Sequence, residues 1–310
     1  TRAAFLGTPA AAVPSLAALM EVAAVEFVVT QPDRPKGRGR SLDASAVKVA
    51  AAEWGLPVYQ PRSHNDLMTL FDGSGLDVAV VVAYGRILKR KLLETTKAGF
   101  VNVHFSLLPR WRGAAPVERA ILAGDYYTGV SLMVLDEGMD TGPVFAVAET
   151  PISEYETAGQ ITGRLSSLGA DVLRDHLDDY LHDRLRPARQ MRTGATMAPR
   201  LTTAEARLDI EQGPASFARA VRAFNPRPGA WFEAENQRIK VFEVGPATPQ
   251  VAPGAIEIIN GRPILGLRHG AVELVEVQPA GKAAQPGRTW ANGRRGRGLK
   301  LDDAQGASKA

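Results

Sequence analysis

The chain has 310 residues, a hydrophobic fraction of 45% and a formal net charge of +4 at pH 7. This length suits two domains, and the hydrophobic fraction is ordinary for a folded soluble protein. No apolar run approaches the roughly 18 residues that a membrane-spanning helix needs, and we see no secretory signal pattern. The sequence contains no Cys, which excludes disulfides, thiolate metal sites and a Cys nucleophile. We therefore expect a cytoplasmic protein.

The first half of the chain alternates strand-like and helix-like stretches. Short apolar strands are predicted at Ala3 to Leu6, Val25 to Val29, Asp77 to Val82, Phe100 to His104 and Val130 to Leu135. Helices are predicted at Ala10 to Met20, Ala44 to Trp54, Asn65 to Phe71, Pro116 to Leu122 and Gly159 to Leu185. Such alternation predicts an α/β fold with a doubly wound, mostly parallel sheet. The first strand–turn–helix resembles a Rossmann opening but lacks G-x-G-x-x-G, so we predict no dinucleotide site.

The second half is rich in short β-like runs. After a helix at Pro214 to Phe224, strands are predicted at Ala230 to Ala234, Ile239 to Val244, Ala255 to Ile259, Ile264 to Leu267 and Ala271 to Val277. Hairpin turns are expected where Asn260-Gly261 and His269-Gly270 separate the last three. Five short strands predict a small closed β-barrel. We expect three parts: a domain over residues 1–183, a basic linker over 184–203 and a second domain over 204–310.

Charge is distributed unevenly along the chain. Residues 1–183 carry 17 Lys and Arg against 22 Asp and Glu, a net charge of −5. Residues 184–203 carry five Arg and no acid, and residues 204–310 carry 15 basic against 11 acidic residues. Such asymmetry indicates either a polyanionic partner or solvated charged surface.

One loop concentrates positive charge in the first half. Gln31 to Ser41 reads QPDRPKGRGRS, and only Asp33 opposes its four basic residues. Two Pro and two Gly disfavour regular structure there. Arg pairs well with phosphate and stacks on bases, so the loop is either a nucleic-acid contact or an exposed charged loop.

The strongest functional signal is polar residues on a buried strand. Residues two apart on a strand share a face, so Asn102 and His104 point to one side and Val101 and Val103 to the other. A single polar residue in such a strand is usually a satisfied hydrogen-bonding group. A pair that runs into a Pro- and Gly-rich loop favours a site, because α/β proteins place their sites at strand ends.

The pair suits addition to a carbonyl carbon. Asn102 offers an amide N–H to a developing oxyanion, and His104 can transfer protons near neutral pH. A carboxylate is the natural third member, and Asp136 and Asp140 are both candidates in the DEGMDTG loop. The sequence lacks a G-x-S-x-G elbow as well as Cys, so the nucleophile is expected to come with the substrate.

These motifs carry a resemblance to a known family. The segments that match are Gly7-Thr8-Pro9, Thr30 to Pro35, Ala83-Tyr84-Gly85, Asn102 to Pro109, Arg112 to Pro116, Asp136 to Gly142, Ala198 to Leu201, Arg222 to Pro226 and Leu274 to Lys282. In this order, over nearly the whole chain, they resemble the folate-dependent formyltransferases, and among them the methionyl-tRNA formyltransferases. The sequence departs from the family pattern at Phe105, where a small residue is expected.

The resemblance implies a fold and a reaction. It implies a Rossmann-like catalytic domain followed by an OB-fold-like barrel that binds tRNA. The implied reaction is transfer of a formyl group from 10-formyltetrahydrofolate to the α-amine of initiator methionyl-tRNA, for translation initiation. We also expect no metal, no membrane association and a monomeric protein.

The resemblance further implies three sets of site residues. The implied catalytic residues are Asn102, His104 and Asp140. The implied folate-binding residues are Arg86, Ile87, Leu88, Ser106, Leu107, Leu108, Pro109 and Asp136. The implied tRNA-binding residues are Arg34, Lys36, Arg38, Arg40, Arg186 and Arg189.

Three alternatives remain at this stage. A formyltransferase for a sugar nucleotide or another small amine shares the core, but nothing in it requires the basic loop. Phosphoribosylglycinamide formyltransferase lacks the basic second half. A non-catalytic RNA-binding protein would not need the intact set of Asn102, His104 and Asp140.

Overall fold

The structure is a computed structural model that describes residues 1–36 and 41–302, with side chains described outside 34–36 and 41–42. The chain divides into two compact units. The first contains residues 1–116, 127–151 and 162–198, and the second contains 117–126, 152–161 and 199–310. Among the described residues, no helix has both the length and the apolar character to cross a bilayer.

The elements up to residue 198 alternate strands and helices, as predicted. The strands are β1 (Arg2–Gly7), β2 (Ala24–Val29), β3 (Arg34–Lys36), β4 (Ser41–Asp43), β5 (Val58–Tyr59), β6 (Val78–Val82), β7 (Phe100–His104), β8 (Arg112–Gly113), β9 (Tyr127–Val134), β10 (Val144–Pro151) and β11 (Met197–Ala198). The helices are α1 (Val13–Val22, after a 3-10 turn at Ala10–Ala12), α2 (Ala46–Glu53), α3 (His64–Phe71), α4 (Arg90–Leu93), α5 (Pro116–Ala123) and α6 (Ala158–Leu181).

The first unit is built on one seven-stranded sheet with the order β10-β9-β7-β6-β1-β2-β5. Its members β5, β2, β1, β6 and β7 are parallel, and β9 and β10 extend it antiparallel. This confirms the parallel-dominated α/β prediction. Strand β6 at the centre of the sheet is apolar throughout because helices cover both faces of such a sheet; it reads VAVVV and is fully buried.

Strand β10 was not predicted. It lies at the edge of the sheet and pairs only with β9. Every second residue from Ala148 onward is half-buried, while Glu149 and Pro151 are exposed. Residues 144 to 148 of this strand form a short apolar run, VFAVA, which the sequence analysis did not assign to a strand.

The basic loop is more regular than its sequence suggested. Strands β3 and β4 form a short antiparallel pair, with Arg34 opposite Asp43 and Lys36 opposite Ser41. The prediction of irregular structure over Gln31 to Ser41 is therefore wrong for this part of the loop. Pro35 is tolerated because a two-stranded ribbon has free edges.

The second unit adds strands and helices to α5. They are α7 (Pro214–Ala223), α8 (Gly287–Gly293), β12 (Ala230–Ala234), β13 (Gln237–Ala247), β14 (Ala255–Ile259), β15 (Arg262–Leu267), β16 (Gly270–Pro279), β17 (Gln285–Pro286) and β18 (Leu299–Lys300).

These strands form a nearly closed antiparallel barrel, as predicted. The order is β12-β13-β16-β15-β14-β18, and a bridge between Ala234 and Leu301 joins the two edges. The β14–β15 hairpin turns at Asn260 and Gly261, which have φ of 52° and 75°, the left-handed pair that a type I′ turn needs. Apolar residues of β12, β13 and α7 fill the interior, and Phe217 is fully buried there.

Candidate active site

Strand β7 places two polar side chains inside the first sheet. Asn102 and His104 are 9% and 6% exposed, and Val101 and Val103 on the opposite face are buried among apolar residues. Strand β7 runs between β6 and β9, so its backbone is held by hydrogen bonds on both sides. No hydrogen bond of the Asn102 side chain is seen within the described residues, and its amide atoms are not among the fully buried ones that lack a partner. The amide therefore keeps some exposure, and its N–H is available to a ligand group in front of it.

The His104 ring has a fixed tautomer. Its Nε2 lies 2.9 Å from the Trp111 carbonyl oxygen. A carbonyl only accepts, so Nε2 carries the hydrogen and donates. Nδ1 is then the ring nitrogen that carries no hydrogen in the neutral form. It lies 3.8 Å from Asp140 Oδ2, so the carboxylate faces this nitrogen.

Asp140 is held by the backbone of a neighbouring loop. Its Oδ2 accepts a hydrogen bond of 2.8 Å from the Gly113 N–H. Its own φ is 52°, a left-handed conformation that Asp tolerates better than most residues. The Asp140 carbonyl accepts a hydrogen bond of 2.9 Å from Gln190 Nε2. The Gly113 N–H therefore orients the carboxylate, and Gln190 holds the main chain of the same residue.

The two carboxylates that the sequence left open now differ. Asp140 faces His104, whereas Asp136 Oδ1 accepts hydrogen bonds from the Gly138 N–H (3.0 Å) and the Thr141 hydroxyl (2.7 Å). Asp136 is exposed, and its carboxylate stabilises the turn of its own loop through these two hydrogen bonds. Its assignment to folate binding stays a prediction.

Gln190, which the sequence analysis did not single out, holds the Asp136 to Gly142 loop by hydrogen bonds. Its Nε2 also donates to the Gly142 carbonyl (2.7 Å), and its Oε1 accepts from Arg112 Nη2 (2.7 Å). It lies 50 residues beyond Asp140 in a stretch whose sequence suggested only a basic linker. No local pattern indicates such a contact.

Gly113 is required by its surroundings. Its φ is 125°, and a Cβ atom there would lie 2.7 Å from the Ala198 carbonyl oxygen. The two residues approach closely because Gly113 pairs with Ala198 between β8 and β11. In this position the Gly113 N–H donates to the Asp140 carboxylate.

The segment Ser106 to Pro109 leaves the end of β7 and turns back on β9. The Ser131 hydroxyl donates to the Ser106 carbonyl (2.7 Å), and the Ser131 Oγ accepts from the Leu108 N–H (3.1 Å). Ser131 is opposite His104 in the β7–β9 ladder. The predicted folate residues Ser106, Leu107, Leu108 and Pro109 thus directly follow the Asn102–His104 pair, although their contact with folate stays a prediction.

A second predicted folate segment follows β6. Ala83 and Gly85 have φ of 47° and 84°, so the chain turns sharply around Tyr84. Burial raises the pKa of the Tyr84 hydroxyl, which has no hydrogen-bond partner among the described residues. Ile87 is 82% exposed and Leu88 is buried. An exposed Ile beyond the carboxyl end of a parallel strand suits an apolar ligand wall.

Arg86 is half-buried and is held by two hydrogen bonds. Its Nε donates to Gln31 Oε1 (3.1 Å), and its Nη1 donates to the Pro61 carbonyl (3.0 Å). The predicted folate residue is therefore tied to the strand that leads into the basic loop.

The predicted tRNA-binding residues are only partly described. Arg38 and Arg40 lie outside the described residues, and the side chains of Arg34 and Lys36 do too. Arg186 and Arg189 are exposed and form no ion pair within the described part of the chain. Arg184, by contrast, is paired with Asp178 and Asp179.

Phe105 lies on the face opposite to the polar pair. A Cβ atom at Gly169 of α6 would lie 2.8 Å from Val103 Cγ1 and 3.5 Å from Phe105 Cε1. The aromatic ring thus packs beside α6, where Gly169 leaves room for it. This departure from the family pattern is accommodated away from Asn102 and His104.

Among the described residues, no group of three or more His, Cys, Asp or Glu side chains is arranged to hold a metal ion. A cavity of about 990 Å³ lies within the second unit, between α7 and β13; none of the predicted site residues lines it.

Comparison with known proteins identifies the family. The Formyl transferase model matches residues 2–177, and the model of the Formyl transferase C-terminal domain matches residues 200–295. A methionyl-tRNA formyltransferase of Hydrogenovibrio crunogenus is 41% identical over 303 residues, covering 96% of this chain and 97% of the relative. That of Rhizorhabdus wittichii is 45% identical over 292 residues, covering 91% and 92%.

Solved structures show the same fold at much lower identity. The sugar 3N-formyl transferase WlaRD, solved with dTDP and 5-N-formyl-THF, has a TM-score of 0.68 at 17% identity, covering 91% of this chain and 98% of that chain. HypX from Aquifex aeolicus in complex with tetrahydrofolic acid has a TM-score of 0.64 at 18% identity, covering 93% and 46%. The resemblance drawn from the motifs is confirmed: the chain belongs to the formyl transferase family, among the methionyl-tRNA formyltransferases.

Proposed function

We propose that the chain transfers the formyl group of 10-formyltetrahydrofolate to the α-amine of the methionine on initiator methionyl-tRNA. The observation that carries this proposal is the likeness of 40 to 45% identity to methionyl-tRNA formyltransferases over nearly the whole of both chains. The sugar formyltransferases share the fold at 16 to 18% identity. Folate ligands in two of the solved relatives support a folate donor.

The proposed chemistry is acyl transfer through a tetrahedral intermediate. The neutral amine attacks the formyl carbon, a C–N bond forms, and the carbonyl electron pair moves onto oxygen. Asn102 donates a hydrogen bond to that oxyanion, a role for which its available amide N–H is suited. When the intermediate collapses, the bond between the formyl carbon and N10 of the folate breaks, and N10 takes a proton.

His104 and Asp140 accept and donate the protons that this acyl transfer moves. The amine loses one proton on addition, and the free Nδ1 of His104 and the Asp140 carboxylate are both placed to receive it. The Trp111 carbonyl keeps the other ring nitrogen in its protonated state. A protonated Nδ1 then supplies positive charge near the oxyanion or returns the proton toward the leaving nitrogen.

We assign residues 1–183 to catalysis, 184–203 to a basic linker and 204–310 to tRNA binding. The net charge of +4 on residues 204–310 and the exposed Arg186 and Arg189 support a polyanionic partner. A small closed barrel is a common nucleic-acid-binding shape. A tRNA acceptor places the activity where translation occurs, in the cytoplasm.

A formylation assay with competing acceptors tests the proposal. The purified protein is incubated with 10-formyltetrahydrofolate and with initiator methionyl-tRNA, a nucleotide-linked amino sugar or phosphoribosylglycinamide. We expect formylation of methionyl-tRNA and at most trace formylation of the two small amines. Preferential formylation of either small amine would contradict the proposal.

A further inference from the structure

Trp111, beside the candidate site, has an unfavourable backbone conformation and still holds His104. Its φ is 63°, a left-handed value that is uncommon for a bulky residue and persists only where surrounding contacts fix it. Its carbonyl accepts from His104 Nε2 at 2.9 Å. The contacts that fix Trp111 therefore also decide which ring nitrogen of His104 carries the hydrogen.

The peptide groups on the two sides of the Trp111 Cα atom are each held at both ends. The peptide before it accepts at its carbonyl from the Ser106 hydroxyl (2.6 Å), and its N–H donates to Thr196 Oγ1 (2.9 Å). In the peptide after it, the Trp111 carbonyl accepts from His104. The N–H of that second peptide, which belongs to Arg112, donates to the Thr196 carbonyl (2.9 Å). Thr196 thus contributes one hydrogen bond to each peptide.

Thr196 lies 85 residues beyond Trp111, in the segment that the sequence analysis assigned to a basic linker. It immediately precedes β11, which pairs with β8, and its own N–H donates to the Pro109 carbonyl (3.4 Å). These contacts fix the backbone of Thr196 and involve no side-chain atom of it. The side chain of this half-buried residue therefore contributes through its Oγ1 contact with the Trp111 N–H.

We propose that Thr196 is a positioning residue for catalysis: through the Trp111 backbone, its hydroxyl keeps His104 in the tautomer that leaves Nδ1 without a hydrogen. That nitrogen faces the Asp140 carboxylate at 3.8 Å. In the other neutral tautomer Nδ1 carries the hydrogen and cannot take a proton from the attacking amine. The effect on rate rests on the proposed function, whereas the tautomer can be measured without either substrate.

Removal of the hydroxyl has a defined structural consequence. Val keeps the branched shape of Thr but offers no acceptor, so the Trp111 N–H loses its partner. The peptide before Trp111 is then held only at its carbonyl, by Ser106. Trp111 can leave the left-handed conformation, and its carbonyl no longer holds His104 Nε2 in one direction.

The experiment compares three variants of the full chain with the wild type. Thr196→Val removes Oγ1, and Thr196→Ser keeps an oxygen at the same place. Thr193→Val is the matched control, because Thr193 lies in the same segment and is exposed. Formylation of initiator methionyl-tRNA gives kcat and KM. Nitrogen NMR of protein labelled in its His rings gives the tautomer, and the spectrum of His104→Ala assigns the His104 signals among the five His residues.

The wild-type ring should carry its hydrogen on Nε2 at a pH high enough for it to be neutral. Thr196→Val should populate the Nδ1–H tautomer and lower kcat about 10 to 10²-fold, the effect of a small displacement of a catalytic group. Both KM values should stay near the wild-type values, because no substrate contact is removed. Thr196→Ser and Thr193→Val should resemble the wild type in tautomer and in kcat.

A wild-type ring with its neutral-state hydrogen on Nδ1 would overturn the inference, and that test needs no variant to fold. So would a folded Thr196→Val that keeps either the wild-type tautomer or the wild-type kcat. An equal loss in Thr196→Ser would assign the effect to packing and not to the hydroxyl. Failure of the proposed function is distinct, since it appears as a wild type that does not formylate methionyl-tRNA, whatever tautomer the ring adopts.

Discussion

At the residue scale, Asn102 combines burial with an unused hydrogen-bonding group. We predict that Asn102→Ala lowers kcat about 10² to 10³-fold, the usual effect of removing one oxyanion donor, and that His104→Ala abolishes turnover. Both variants should retain the wild-type far-ultraviolet circular dichroism spectrum. Asn65→Ala, on the exposed start of α3, is the control. Wild-type rates in Asn102→Ala would remove that residue from the chemistry.

Asp140 allows a replacement that separates charge from backbone geometry. Asn also tolerates φ near 52°, and its side-chain oxygen can still accept from the Gly113 N–H. Asp140→Asn therefore keeps the loop and removes the negative charge beside His104 Nδ1. We predict a fall of about 10² to 10⁴-fold in kcat, measured by single-turnover formylation. An unchanged rate would show that the carboxylate takes no part in proton transfer.

At the element scale, the packing of α6 on β7 gives a matched pair of glycine variants. Gly169 lies against Val103, and an added Cβ atom at 2.8 Å from Val103 Cγ1 forces a shift. Gly163 lies in the same helix with nothing within 4 Å of the added atom. The two positions share their helical setting and differ in available space.

We predict opposite changes in the free energy of unfolding for these two variants. Gly163→Ala should stabilise by roughly 0.5 to 1 kcal/mol, because Ala loses less backbone entropy in a helix. Gly169→Ala makes the same gain but overpacks a buried contact, which typically costs about 1 to 3 kcal/mol, so it should destabilise. Urea unfolding measures both. Equal stabilisation by the two variants would contradict the tight contact of α6 with β7.

At the scale of the whole molecule, charge separates the two proposed substrates. We predict that the affinity for methionyl-tRNA falls steeply with salt, because Lys and Arg contacts with phosphate release counterions. Arg186→Gln with Arg189→Gln should reduce the slope of log K against log salt by about 1 for each lost contact. Folate affinity should not change. The slope is measured by tRNA binding between low and physiological salt.

The control for that variant changes charge by the same amount elsewhere. Arg174 and Arg184 are ion-paired with acidic neighbours in the first unit, so Arg174→Gln with Arg184→Gln should leave the slope near the wild-type value. An equal loss of slope in both double variants would mean that net charge alone, and no local contact, governs tRNA affinity.

The sequence by itself predicted a mostly parallel sheet in the first half of the chain and a small β-barrel in the second, and it located the Asn102–His104 pair. It could do so because apolar runs and the alternation of strands with helices are local patterns. It also carried the family motifs. Residue chemistry alone left Asp136 and Asp140 equivalent, since both lie in one short loop, and only the family resemblance implied Asp140 as the catalytic one. The sequence analysis missed β10, although residues 144 to 148 form a short apolar run, VFAVA.

Only the tertiary structure decided which carboxylate faces His104 and what holds it there. Asp140 is held by the Gly113 N–H, 27 residues earlier in the chain, and by Gln190, 50 residues later. His104 is held by the Trp111 carbonyl, 7 residues later. The hydrogen bond from Gln31 Nε2 to the Tyr84 carbonyl likewise joins segments 53 residues apart. Such contacts depend on how strands order themselves in the sheet, and no spacing along the chain encodes them.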